Sequence, residues 1–372
     1  MRLLTVTHFF EDHGGGIERV AGQLCRQLSR MGAEPVWAAS DRDPPPPPSA
    51  GIAVVPLACR DPLERISGLP MPLPGPRAVM ALAREVRRSD AVILHDALYL
   101  TSILAMLLSK ASGRRVILVQ HIAEIAFSSP VLRLVMKIAN ALVTRPMLWA
   151  ADERVFISDT VRHALLGTPP RISCTLLFNG VNGAIFHPDD RSAARADERR
   201  TILFVGRYVE KKGLSIIRAL AATRPDLTFL MVGSGPVDPR RWGLANVEDL
   251  GPQGQEALAR LYRSASMLLL PSVGEGYPLV IQEAMACGLP VVCGKPSDRA
   301  DPEAARWLSG VAIDLADPAG SAERCAAAID AMALSTEERR AMSSYARQRY
   351  SWEMMARGLL DLVNPATALV RG

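Results

Sequence analysis

The chain has 372 residues, 49% of them hydrophobic and 22% charged, and a formal net charge of +5 at pH 7. A chain this apolar buries enough surface to offset the entropy of ordering it, which excludes disorder as its main state, and its length exceeds what one core usually organises, so two domains are expected. Residues 1–186 hold 20 Lys+Arg against 15 Asp+Glu and residues 187–372 hold 23 against 23, so the whole excess lies in the first half and suits an anionic partner there.

The opening MRLLTVTHFF has one cation and a short apolar run, but no long hydrophobic region or small-residue cleavage site, and is expected to be a first strand. Five more such runs follow in the first half (PVWAAS, IAVVPL, AVILHD, RVILVQH, RVFIS) and five in the second (TILFVG, LTFLMVG, SMLLLPS, PVVCG, VAID). Each is short, nearly continuous in apolar residues and separated from the next by a helical pattern. That predicts parallel strands buried on both faces, and so two doubly wound α/β domains. DPPPPPS (residues 43–49) predicts a stiff polyproline II surface loop, and FHPDDRSAARADERR (residues 186–200) the interdomain linker.

The segment PVLRLVMKIANALVTRPMLW (residues 130–149) is apolar, with Arg133, Lys137 and Arg145 as its only charges. Arg133 and Lys137 share a helix face, so the segment is either an interfacial helix against anionic lipid or a half-buried core helix. No run approaches the roughly 18–20 apolar residues that cross a bilayer, and a cytoplasmic protein is expected. The six cysteines, Cys25, Cys59, Cys174, Cys287, Cys293 and Cys325, form no CxxC pair and are expected to be buried thiols. The six histidines form no HxH or HExxH pattern, so no catalytic zinc is expected.

Chemistry concentrates in a few loops that follow strands. In PSVGEGYPLVIQEAMACGLPVV (residues 271–292) a strand runs into the loop Gly274–Tyr277, and Pro278 is expected as the first helical residue. The free amides of Leu279 and Val280 then make an anion site at the strand's carboxyl end. Glu275 and Glu283 stand eight apart, so one carboxylate sits beside bound phosphates while the other reaches a different part of the same ligand. In TILFVGRYVEKKGLSIIRAL (residues 201–220) the strand ends at Gly206, and Arg207 and Lys212 suit a diphosphate leaving group; Lys211 is expected to face solvent. Gly14, Gly15 and Gly16 lie between a strand and a helix, where bare backbone can approach a phosphate or a sugar. VGSGP (residues 232–236) lacks the third glycine of a dinucleotide fingerprint. His121 ends the strand RVILVQH, and His95 ends AVILHD with the same geometry.

The blocks at 201–220 and 271–292 resemble the donor half of retaining GT-B glycosyltransferases of family 4, a group that includes phosphatidylinositol mannosyltransferases and enzymes building lipopolysaccharide or exopolysaccharide chains. HGGGIERVAGQLCRQLSRMG is similar to the family's GGxE-type loop and first helix, and RVILVQH ends where the family has its active-site histidine. ADERVFISDTVRHAL, NGVNGAIFHP and the terminal SWEMMARGLL resemble further family segments. Asn182 stands where the family usually has an aspartate, and PSDRADPEAARWLSG is atypical.

The resemblance implies a GT-B fold, two Rossmann-like doubly wound domains facing a central cleft: an acceptor-side domain over 1–186, a donor-binding domain over 187–352, and a helix over 353–372 returning to the first. It implies metal-independent, retaining transfer of a hexose from a UDP-sugar or GDP-sugar to a glycan, oligosaccharide or lipid-linked acceptor in cell-surface polysaccharide or glycolipid assembly. Arg207 and Lys212 would stabilise the leaving diphosphate, Glu275 would lie near the donor sugar, Glu283 would bond the ribose, and His121 would contact sugar or acceptor. Gly15, Gly16, Gly206, Gly276, Tyr277, Pro278, Leu279 and Val280 would complete the donor site. No cofactor and no nucleic acid are implied, whereas an anionic membrane surface is a further expected partner. Two alternatives stay open: a nucleotide-sugar epimerase or hydrolase on the same scaffold, which needs a second acid near His121, and a non-catalytic nucleotide-sugar-binding partner of another transferase.

Overall fold

The computed structural model describes residues 1–48, 51–61, 71–123, 130–189 and 200–364. Two α/β units emerge. The first takes Met1–Ala123, the chain up to Gly180 and the segment from Trp352 onward; the second takes Val181–Ser351.

The sheet of the first unit contains β1 (Arg2–Val6), β2 (Glu34–Ser40), β3 (Ala53–Leu57), β6 (Ala91–His95), β7 (Arg115–Gln120), β8 (Glu153–Phe156) and β9 (Thr175–Leu176). Their order is β3-β2-β1-β6-β7-β8-β9, and every pairing is parallel. Alternate residues supply two covered faces. Leu4, Val6, Val36, Ala38, Val92, Leu94, Val116 and Leu118 fill one core, while Trp37 and Ala39 join Phe10, Ala21 and Cys25 on the other side. The helix Gly16–Arg30 contributes Val20, Ala21, Leu24, Cys25 and Leu28, a stripe at helical spacing, and each large side chain so buried adds about 1.5–3 kcal/mol.

The second sheet contains β10 (Thr201–Val205), β11 (Thr228–Val232), β12 (Val247–Asp249), β13 (Met267–Leu270), β14 (Val291–Gly294) and β15 (Leu308–Val311). Its order is β12-β11-β10-β13-β14-β15, again parallel throughout. In each sheet the connections change direction beside the first strand, between β1 and β6 and between β10 and β13. Loops at the carboxyl ends of such neighbours diverge and leave room for a ligand.

Several elements differ from the sequence expectation. The last strand lies at Leu308–Val311 and shares only Val311 with VAID, because Leu308, Ser309 and Gly310 pair with β14 despite their weak apolar character. β9, β12 and the two-residue ladder of β4 (Cys59–Arg60) with β5 (Leu73–Pro74) carry too few apolar residues to register as runs. Phe186 belongs to the second core, not to a linker: it is 1% exposed and packs edge-on to Tyr262. The rest of that expected linker falls mostly on 190–199, outside the described residues, as does Ser49 of the proline-rich loop. The chain joins the second unit earlier because Val181 N–H already bonds Tyr350 C=O at 2.7 Å. The helix Trp352–Val363 packs on the helix Gly16–Arg30 and on β7. All six cysteines are free, but Cys59 and Cys174 are only half-buried, since they sit on edge strands or beside them.

Residues 130–149 form a helix Pro130–Ala139, a wider turn Asn140–Thr144 and a helix Arg145–Ala150. Pro146 offers no N–H to the preceding turn, and Thr144 Oγ1 donates to Asn140 Oδ1 across it. Met136, Met147 and Leu148 face the core, whereas Leu134, Val135, Ile138, Leu142 and Trp149 are exposed, Leu142 by 72% and Trp149 by 62%. Lys137 is exposed on the same stretch, and the side chain of Arg133 lies outside the described residues.

Candidate active site

In the second unit the site is assembled by two loops, one after β10 and one after β13. At the end of β10, Gly206 N–H bonds Val232 C=O, and Tyr208 N–H bonds Ser234 C=O. Gly233 has φ 150°, and a side chain there would overlap the carbonyl of Gly206. The glycines of VGSGP therefore serve close backbone packing between neighbouring loops. The chain then makes a 3-10 turn at Glu210–Lys212 and reaches Gly213, whose φ of 76° and contact with the Pro271 carbonyl leave no room for a Cβ. Val273 N–H bonds Lys211 C=O at 3.0 Å, which ties the two loops together.

That tie brings Lys212 to Glu275: Nζ and Oε1 are 2.5 Å apart, and each side chain is 14% exposed. Ser272 Oγ donates to the other oxygen of Glu275 at 3.5 Å. Gly206 lies against the Lys212 stem, where an added Cβ would stand 3.7 Å from Cε. Arg207 and Lys211 are exposed on the same loop. Lys211 is lowered from its ordinary value, first by partial loss of water and then by the neighbouring cations Lys212 and Arg207, with Glu275 opposing. Lys212 pairs with the carboxylate, while Lys211 and Arg207 add two further cations on the same loop.

The helix Leu279–Ala286 starts one residue later than expected. Pro278 is its N-cap, because its ψ of 128° is extended, and Ile281 N–H bonds the Pro278 carbonyl. The amides of Leu279 and Val280 have no partner inside the helix by its geometry, and both residues are part-exposed. One turn on, Glu283 accepts from the hydroxyl of buried Tyr262 at 3.0 Å, an orienting contact that the sequence did not signal. Gly276 and Tyr277 are drawn inward instead. The Tyr277 ring is 3% exposed and its hydroxyl meets Tyr350 Oη at 3.1 Å, while Tyr350 and Tyr345 each donate to Asp301 Oδ2 at 2.7 Å. Tyr277 thus anchors the loop from below.

In the first unit, the glycine loop after β1 ends at Gly15, the N-cap of the helix Gly16–Arg30. A Cβ on Gly15 would overlap the carboxylate of Glu18, and one on Gly16 would meet nothing. Glu18 is 5% exposed, and burial raises it above its ordinary value. His121, directly after β7, is 3% exposed, and its Nε2 lies 2.9 Å from Nδ1 of His95, the last residue of β6. Burial pushes His95 down to about 3 and holds His121 well below its usual range, with His95 adding to the second effect. Asp96, in a left-handed conformation at φ 61°, accepts from the His121 and Ile122 amides through Oδ1. Loss of water pushes Asp96 up to about 7. An acid beside His121 was not legible in the sequence; here it is Asp96, whose Oδ1 accepts two backbone amides while its Oδ2 is buried without a hydrogen-bond partner. Among the described residues no three His, Cys, Asp or Glu side chains group as metal ligands.

Two family models match the chain: Glycosyltransferase Family 4 over residues 14–183, and Glycosyl transferases group 1 over residues 186–349. The D-inositol 3-phosphate glycosyltransferase of Segniliparus rotundus is 34% identical over 208 residues, 49% of this chain and 44% of that one. Its counterpart from Saccharomonospora viridis is 32% identical over 253 residues, 60% and 55% of the two chains. The chain thus spans about half the length of these curated relatives. Among solved structures, the sucrose-phosphate synthase of Thermosynechococcus elongatus superposes with a TM-score of 0.68 at 20% identity, covering 99% of this chain and all of that one. The Anabaena HepE complex with UDP gives 0.71 at 17% identity, covering 98% and 100%.

Proposed function

We propose an activity from one premise: this chain belongs to the glycosyltransferases of family 4, with the GT-B fold. The activity is transfer of a hexose from a UDP-sugar or GDP-sugar, with retention of anomeric configuration and without a metal, to a glycan or lipid-linked acceptor. The observation that carries the reading is the Lys212–Glu275 pair beside the start of the helix Leu279–Ala286, at the switch point of the second sheet. Cations and free amides there suit a diphosphate, and the carboxylate suits a neighbouring sugar hydroxyl.

Breaking the bond between the anomeric carbon and the diphosphate oxygen leaves oxocarbenium character on the sugar and sends the electron pair to the diphosphate. Arg207, Lys212 and the amides of Leu279 and Val280 stabilise that charge as it develops. Glu275 orients the sugar, and Glu283, held by Tyr262, takes the ribose. The acceptor oxygen attacks from the face the diphosphate leaves, and its proton passes to a phosphate oxygen, so no side chain is needed as nucleophile. His121 contacts the sugar or the acceptor as a neutral group. A UDP donor draws support from the UDP-bound relative of the same fold.

For the acceptor, the lipid-linked reading rests on the basic first half and on the exposed apolar surface of residues 134–149, and it puts the enzyme at the inner face of the cytoplasmic membrane. A soluble phosphorylated polyol is the second reading, supported by the D-inositol 3-phosphate relatives. A thermal-shift screen of nucleotide sugars tests the donor, because a bound ligand raises apparent stability with the logarithm of its excess. NMR of the product's anomeric centre tests retention. Free sugar or an epimer as sole product, or tight donor binding without turnover on any acceptor, overturns the reading in favour of a hydrolase, an epimerase or a binding partner.

A further inference from the structure

His95 ends β6 and His121 directly follows β7, the adjacent parallel strand, and their rings lie nearly parallel, 24° apart with centroids at 5.1 Å. The N···N distance of 2.9 Å admits one proton: one nitrogen donates and the other offers its lone pair. Each neutral ring carries a single N–H, so the tautomer of one ring dictates that of the other. His95 has no other use for its ring, since its Nε2 is buried without a hydrogen-bond partner. The backbone of His121 is fixed as well, because Asp96 Oδ1 accepts its N–H at 2.9 Å. The remaining titratable groups of this neighbourhood are Asp96, Glu18 and Tyr99, all buried or nearly so, with Tyr99 stacked on His8.

We propose that His95 is a positioning residue that locks His121 in one neutral tautomer, so that the outer ring nitrogen of His121 keeps a fixed donor or acceptor role toward the substrate. Exchanging that role would require both rings to exchange protons and would change the state of a buried nitrogen that has no partner to compensate. Burial opposes the alternative of charging either ring. The lock makes His121 an orienting contact, not an acid–base group. The substrate role of His121 rests on the transferase reading, whereas the lock itself does not.

The test is long-range proton–nitrogen NMR of the full chain labelled with ¹⁵N-histidine, with His121 assigned through His121→Gln. In the wild type, the two His121 nitrogens are expected to differ as one protonated and one bare nitrogen, and to stay unchanged from pH 5 to 8. His95→Leu should average them, whereas His95→Gln, whose amide can donate or accept, should keep them distinct. In turnover, His95→Leu should lower kcat about tenfold to a hundredfold with little change in donor KM, and His95→Gln should recover most of it. Averaged or titrating nitrogens in the wild type, or a His95→Leu spectrum like the wild type's, overturn the proposal. If His95→Leu does not fold, the wild-type and His95→Gln spectra decide. If no donor is turned over, the transferase reading fails while the spectra still judge the lock.

Discussion

Lys212 Nζ stands 2.5 Å from Glu275 Oε1, joining the loop after β10 to the loop after β13 with both side chains 14% exposed. Each neutralises the other until a more strongly anionic group arrives. In the proposed mechanism a diphosphate at the helix start would compete for Lys212 and free Glu275 for the sugar. Lys212→Ala and Arg207→Ala are each expected to lower kcat at least about a hundredfold, the scale of a lost transition-state charge contact. Lys212→Ala should also cost about 1–3 kcal/mol of stability, because Glu275 is left half-buried and unpaired. Lys212→Ala with Glu275→Gln should regain that stability and not the activity. Denaturant melts and steady-state rates on the three variants check this; near wild-type rates in both single variants remove these residues from the mechanism.

Turnover is expected to persist in excess EDTA if, as proposed, the protein's cations and helix amides take the charge that a divalent ion would otherwise neutralise. Assays with and without chelator decide it. Activity lost in chelator and restored by Mg²⁺ or Mn²⁺ would refute a metal-free leaving group.

Much of this arrangement was legible in the sequence because parallel strands covered on both faces must be continuous apolar runs. AVILH and RVILVQ are nearly undiluted, and every residue of the first is buried. The edge strand Val247–Asp249, flanked on one side only, has no such need and left no signal. That Arg207, Lys212 and Glu275 lie on loops after buried strands was readable from the strand runs, whereas the pairing of Lys212 with Glu275 was not, because it joins two separate loops. The burial of Tyr277 was not legible, because an aromatic in a loop after a strand reads the same whether it faces a ligand or the core. The partners Tyr262, Tyr350, Asp301 and His95 depend on contacts between distant segments, which spacing along the chain does not encode.

The hydroxyl of Tyr350 connects Tyr277, in the loop after β13, with Asp301. Tyr350→Phe is expected to leave the Tyr277 hydroxyl without that partner, to cost about 1–3 kcal/mol and to loosen the loop that carries Glu275. Donor affinity by calorimetry should fall several-fold. Tyr345→Phe, which loses a bond to the same Asp301 oxygen but keeps the contact between the Tyr350 and Tyr277 hydroxyls, should lower stability with little effect on donor affinity. Equal donor affinity in Tyr350→Phe and wild type would make the network purely structural.

Asp96 is raised to about 7 by burial, so between pH 4 and 7 the folded protein holds a proton that the unfolded chain releases. Its contribution to stability is present at low pH and lost as pH rises through 7. His95 and His121, both lowered, act oppositely and gain stability as pH rises through the unfolded histidine range. Asp96→Asn keeps the acceptor for the His121 and Ile122 amides and tolerates φ 61°. The variant should therefore gain on the wild type steadily from pH 4 to 7 and keep that advantage above 7. Urea melts of both proteins across this range check it, and a difference independent of pH would show that Asp96 is ionised throughout.

The exposed apolar residues of the segment 134–149 supply the last prediction. Leu142 is 72% and Trp149 62% exposed, with Lys137 exposed on the same segment, while no described helix is long and apolar enough to cross a bilayer. Apolar tips inserted at headgroup level, helped by cations worth about 1 kcal/mol each near an anionic surface, give reversible binding that weakens with salt. The wild type is expected to sediment with phosphatidylglycerol-containing vesicles at low ionic strength and to be released toward 1 M salt. Because these side chains are solvent-exposed, Leu142→Ser with Trp149→Ser should fold normally and bind donor unchanged while losing most of the vesicle-bound fraction. Lys137→Glu, alone or with Arg133→Glu, should weaken binding mainly at low salt, which separates the electrostatic part from the apolar part. A wild type that ignores such vesicles at low salt, or serine variants that bind them equally well, would turn the acceptor assignment toward a soluble phosphorylated molecule.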